Sequence, residues 1–158
     1  MSTTDFTHPD NWAKADEHIQ QWLNQRQQLI QLMCAISEPA MAPEGTPDEV
    51  RIEAFLTQLM DYMSTSHFEI YRNLIQETAD FGDENAANEM SARLPTLEAI
   101  TQFAVSFNDT FDELKKNPPN DWLSATKGNV SALGAKLEDF FAHEDQLLEI
   151  MHEAHRPQ

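Results

Sequence analysis

A chain of 158 residues, 41% of them hydrophobic, matches one domain built around one ordinary core. Its 27 acidic and 10 basic residues give a formal net charge of −17. That charge repels nucleic-acid phosphates and anionic lipid and attracts basic partners, although it also serves plain solubility. No apolar run approaches the roughly 18 residues of a membrane span. The segment Met1 to Trp12 lacks the basic and apolar regions of a secretory signal. Cys34 has no internal disulfide partner, which agrees with a reducing compartment. The expectation is a single cytoplasmic domain over 1–158, with 1–9 flexible, no membrane association and no direct nucleic-acid contact.

The first element carries an apolar seam at Trp12, Ala15, Ile19, Trp22, Leu29, Met33 and Ile36, in steps of three and four, with Arg26 inside it. That spacing predicts a helix over about 10–37. Pro39, Pro43, Gly45 and Pro47 mark the loop that follows. Thr46, Pro47 and Glu49 read as an N-cap, a first-turn proline and a capping-box acid, so a second helix starts there.

The second helix runs through Ile52, Leu56, Leu59 and Met63 to about Ala79, and Ser64 to Ser66 interrupt it with hydroxyl side chains that compete for backbone hydrogen bonds. A kink or restart is expected at that point. If the helix were continuous, Ile70 and Leu74 would face the core, while Asp61, Thr65, Phe68 and Arg72 would share the polar face. A large aromatic on a polar face has two explanations: it anchors a partner, or a break turns it into the core.

DFGDENAAN (residues 80–88) reads as a loop before a third helix, which Pro95 either kinks or divides from a short leading piece. Its main seam is Leu97, Ile100, Ala104, Phe107, Phe111 and Leu114. KKNPPND (residues 115–121) ends it, with Lys115 and Lys116 suited to the C-terminal dipole. The last helix carries Leu123, Thr126, Val130, Leu133, Leu137, Phe140, Glu144, Leu147, Met151 and Ala154. Four such helices define an all-α, antiparallel-type four-helix bundle with a kinked or broken second and third helix.

Two charges interrupt the seams, Arg26 and Glu144. They are expected to pair inside the bundle, the alternative being that Arg26 reaches solvent and Glu144 lies at the seam's edge. The pattern offers little catalysis. One Glu-x-x-His match, Glu149 to His152, falls short of the two that a di-iron bundle needs. His152 and His155 share a helical face and could chelate a metal adventitiously. Phosphate-binding glycine loops and nucleophile elbows are absent from the sequence. Cys34 lies among Leu32, Met33 and Ile36, as a buried thiol would. No enzyme, cofactor or metal is expected. A metal-binding bundle of the hemerythrin or ferritin-like class is the alternative.

Four stretches carry a family resemblance: Ile19 to Ile30, Phe55 to Tyr71, Leu94 to Gln102 and Leu133 to Leu148. Together they resemble the Rsd/AlgQ family of bacterial anti-sigma factors, most specifically in the string D-Y-x-S-x-x-H-F-x-x-Y, met here by Asp61, Tyr62, Ser64, His67, Phe68 and Tyr71. Trp22, Arg26 and Glu144 also fall where the family has these residues. The resemblance implies a helical bundle that binds region 4 of the primary sigma factor. It would block the contacts of region 4 with core RNA polymerase and the −35 element, and so act in stationary phase or virulence programmes. It carries the partner surface onto Asp61 and Phe68, and more weakly onto Ser64, His67 and Tyr71, with Phe68 entering an apolar pocket on the sigma factor. Ser66 stands where the family commonly has glycine, and Arg72 where it commonly has an acid. The same bundle binding a different regulatory protein remains the second alternative.

Overall fold

The computed structural model describes residues 9–38 and 47–154, with the side chains of 9–16, 65 and 66 left aside. The Thr46 cap, the flexibility expected of the first residues, the Trp12 and Ala15 side chains and His155 lie outside the described residues, and of the two caps expected at the break it is Ser64, not Ser66, that takes the N-cap position of the helix that follows. Six helices follow in order: α1 Pro9–Ser37, α2 Asp48–Tyr62, α3 Thr65–Asp80, α4 Glu84–Ser91, α5 Leu94–Lys116 and α6 Trp122–Ala154. α2 with α3, and α4 with α5, are the broken second and third helices of a four-helix bundle. α1 packs chiefly on α2, α3 on α4, and α6 on both α4 and α5.

The long seams are buried much as their spacing dictates. Thr126, Val130, Leu133, Leu137, Phe140, Glu144, Leu147 and Met151 of α6 all face the core. Trp22, Leu29 and Ile36 meet them from α1, and Leu97, Ile100, Ala104 and Phe111 from α5. α2 buries more than one narrow seam, because Phe55 and Tyr62 lie fully inside beside Ile52, Leu56 and Leu59.

Three local expectations are corrected. The first concerns the stretch read as a loop, which is mostly helix: only Phe81 to Asp83 separate α3 from α4. Gly82 takes a φ of 111°, and the Asp83 carboxylate accepts the Ala86 backbone N–H at 3.0 Å, so one glycine and one cap suffice to turn the chain. Secondly, Pro47 occupies the N-cap position of α2 with extended backbone, and the helix begins at Asp48, one residue later than a first-turn proline would place it. Thirdly, Cys34 is only half-buried, because Gly134 and Ala135 on α6 leave a shallow groove beside it.

The break in the second helix is sharp. Met63 leaves helical geometry, Ser64 is extended at φ −66° and ψ 163°, and α3 restarts at Thr65. As a result Phe68, Tyr71, Leu74 and Thr78 turn inward, Ile70 is half-buried, and Arg72 is exposed. The continuous-helix phase, which sets Phe68 beside Asp61 on a polar face, therefore does not hold.

The Asp83 cap gives the first prediction. Asp83→Ala should destabilise the fold by about 1 kcal/mol, the usual value of an N-cap, and urea titration should show a lower midpoint at unchanged slope.

Candidate functional site

The residues singled out above converge at the middle of the bundle. Glu144 on α6 is fully buried. Tyr62, the last residue of α2, donates its hydroxyl to Oε1 at 2.6 Å, and Tyr71 of α3 donates to Oε2. The indole N–H of Trp22 in turn donates to the Tyr62 oxygen at 2.7 Å. Arg26 completes the set: Nη1 lies 3.6 Å from Glu144 Oε1, and Nη2 bonds Asp145 at 2.7 Å. Its guanidinium also lies over the Phe141 ring, 5.4 Å from the centroid. Four helices thus meet on one carboxylate.

Helical geometry explains why the chain must break before α3. Tyr62 and Tyr71 are nine residues apart, and at about 100° per residue a straight helix would point them in opposite directions. The extended backbone at Ser64 resets the phase, so both hydroxyls reach the same carboxylate. Phe68 lies one turn before Tyr71, their rings 5.3 Å apart edge to face, and is carried inward with it to 7% exposure. It cannot project into a partner as a free anchor.

The expected partner-binding residues accordingly divide. Asp61 is exposed and Ser64 half-buried, whereas His67 and Tyr71 are buried. His67 bonds the exposed Gln25 through Nε2 at 2.9 Å, and its ring packs on Tyr62 with centroids 4.5 Å apart. Phe68 and Met63 form the floor of a cleft of about 520 Å³, whose exposed rim is Arg72, Pro95, Glu98, Ala99 and Gln102. The cleft starts two residues beyond Asp61. Sequence spacing missed Tyr62 and Trp22 as members of the polar cluster, and it missed Asp145 as the closer ion partner of Arg26. The alternation of threes and fours marks one inward position per turn, and Tyr62 and Asp145 lie beside it, whereas Trp22 lies on its seam but reads there as apolar packing.

Burial raises the Glu144 carboxyl to about 7, against the hydroxyls of Tyr62 and Tyr71 and the charge of Arg26, which pull it down. Burial lowers His67 to about 4. Among the described residues, no group of three or more His, Cys, Asp and Glu side chains could hold a metal ion, and no helix is long and apolar enough to cross a membrane.

The bundle and its buried cluster define an all-α protein whose exposed Asp61 stands beside a cleft with an apolar floor. Residues 2–152 match the family described as regulator of RNA polymerase sigma(70) subunit, Rsd/AlgQ, and the chain belongs to that family. Proteins called regulator of sigma D resemble it at modest identity. That of Yersinia pseudotuberculosis serotype O:1b is 28% identical over 138 residues, covering 85% of this chain and 79% of the relative. That of Yersinia enterocolitica serotype O:8 is 27% identical, covering 85% and 80%. That of Pectobacterium carotovorum is 28% identical, covering 85% and 88%. No solved structure matches the chain.

The two shifted groups oppose each other as pH changes. Glu144 holds its proton to about 7 when folded but to its ordinary 4.5 when unfolded, so its contribution to stability is lost as pH rises through that window. His67, lowered from 6.5 to about 4, contributes stability that is lost as pH falls through its own window. Between pH 5 and 8, Glu144→Gln should therefore gain stability relative to wild type as pH rises. Between pH 4 and 6.5, His67→Gln should gain relative to wild type as pH falls. Thermal melts of the three proteins across pH check this, and parallel profiles would contradict it.

Proposed function

We propose that this chain is an anti-sigma factor of the cytoplasm. It binds region 4 of the primary sigma factor without catalysis and covers the surfaces with which region 4 contacts core RNA polymerase and the −35 element. The observation that carries this reading is membership, over residues 2–152, of a family described as regulator of the sigma(70) subunit. The regulators of sigma D from Yersinia and Pectobacterium are consistent with it.

The physical features support the same reading. A helix-turn-helix module that holds DNA phosphates is basic, and a chain of net charge −17 steers such a module toward itself. Asp61, exposed at the end of α2, supplies a specific carboxylate, and Ser64 lies beside it at the break. Phe68 acts from the floor of its cleft, so the sigma factor contributes the apolar side chain that enters. His67 and Tyr71 hold the cleft from inside the bundle, through Gln25 and Glu144. Other regulatory proteins with a basic, partly apolar helix could use the same corner.

Calorimetric titration with purified region 4 tests the proposal. Wild type should bind, more weakly as salt rises, and Asp61→Ala should bind about tenfold more weakly, equivalent to ~1.4 kcal/mol. Phe68→Leu keeps an apolar floor but changes its shape, and should weaken binding by a similar factor while retaining a cooperative melt. Absence of wild-type binding, or both variants binding as wild type, would refute this reading.

A further inference from the structure

The rim of the Phe68 cleft is closed by a pair of opposite charges from two different helices. Arg72 of α3 stands one turn after Phe68, with its guanidinium carbon 6.0 Å from the centre of the Phe68 ring. Its Nη2 lies 3.5 Å from Glu98 Oε1 on α5, and both side chains are more than half exposed. The two helices are thereby linked over a floor that is buried at Phe68 and Met63. A basic partner approaching this cleft meets a cation, Arg72, paired with Glu98 at a rim whose other residues carry no charge.

We propose that Arg72 and Glu98 form an ionic latch over Phe68, and that a basic helix enters by exchanging its own cation for Arg72 on Glu98. This inference rests on the sigma-binding reading above and names the residues that set how tightly that site binds. Arg72 lies against the ring face that an incoming apolar side chain needs, so it must move away before contact forms. Glu98 then has an acceptor free for the partner's lysine or arginine, and the displaced guanidinium turns to solvent. The latch disfavours neutral apolar helices, which can displace Arg72 but return nothing to Glu98, and it favours helices carrying a cation beside the apolar residue. An exposed ion pair and an exposed cation–π contact are each weak, so the latch tunes affinity rather than blocking the site.

The test is titration of region 4 of the primary sigma factor from the same organism against wild type, Arg72→Gln, Lys116→Gln and the double variant Arg72→Gln/Glu98→Gln. Arg72→Gln should tighten binding about fivefold at low salt, the order expected from releasing two weak contacts. Lys116→Gln removes the same charge from the far end of α5, about 27 Å along the helix from Glu98, and should change binding less than twofold. Adding Glu98→Gln to Arg72→Gln should reverse the gain, because the partner's cation loses its acceptor. Equal effects of Arg72→Gln and Lys116→Gln, or weaker binding by Arg72→Gln, would overturn the latch while leaving the sigma reading intact. If wild type and every variant fail to bind, the sigma reading falls and the latch falls with it.

Discussion

A single buried carboxylate organises this bundle. Glu144 has its two oxygens occupied by hydroxyls from two different helices, with Trp22 behind one hydroxyl and Arg26 within reach of the charge. An ion so buried is costly unless its lone pairs are met, and each partner here comes from a different direction. Removing any one of them leaves the others unable to move in and compensate. The cluster therefore fixes how α1, α2, α3 and α6 sit relative to one another, in a way that the surrounding leucines and phenylalanines, being non-directional, do not.

The same constraint explains the chain break that gives the surface its character. Two tyrosines nine residues apart serve one carboxylate only if the helix between them loses its phase, and Ser64 is the residue at which it does. Turning Tyr71 inward also turns Phe68 inward and leaves Arg72 out, since these residues share one helical turn. The cleft beside Asp61 is thus a by-product of satisfying Glu144. A core interaction and the shape of the candidate partner surface are two ends of one helix segment.

Much of the architecture was legible because it depends on periodicity. The α6 seam from Thr126 to Met151 and the helix boundaries near residues 37, 80 and 116 follow directly from steps of three and four and from the loop residues. The charges at 26 and 144 stood out because they interrupt that rhythm. Less legible was anything that depends on a change of phase. Hydroxyl residues at 64–66 mark a break without fixing the rotation across it, so Phe68 could be placed either in the core or outside it. Tyr62 and Trp22 look like ordinary aromatic packing until the geometry reveals their shared acceptor. The α4 start was hidden because acids and asparagines read as loop, although the helix needs only one of them, Asp83, as its cap.

The rim above Phe68 adds a contrast in energetic scale. Around Glu144, the same kinds of group, a guanidinium, a carboxylate and an aromatic ring, meet away from water, where each unmet bond costs on the order of 1–3 kcal/mol. Around Arg72 and Glu98 they meet in water, where the contact is weak and salt screens it. The buried set can therefore hold a shape but cannot readily be exchanged for contacts with a partner. The exposed set can be exchanged, because what it loses on opening is comparable to what an incoming cation returns. Rigidity on one face of α3 and replaceable charge on the other are what a helix needs if it is to present a preformed cleft and still choose among basic partners.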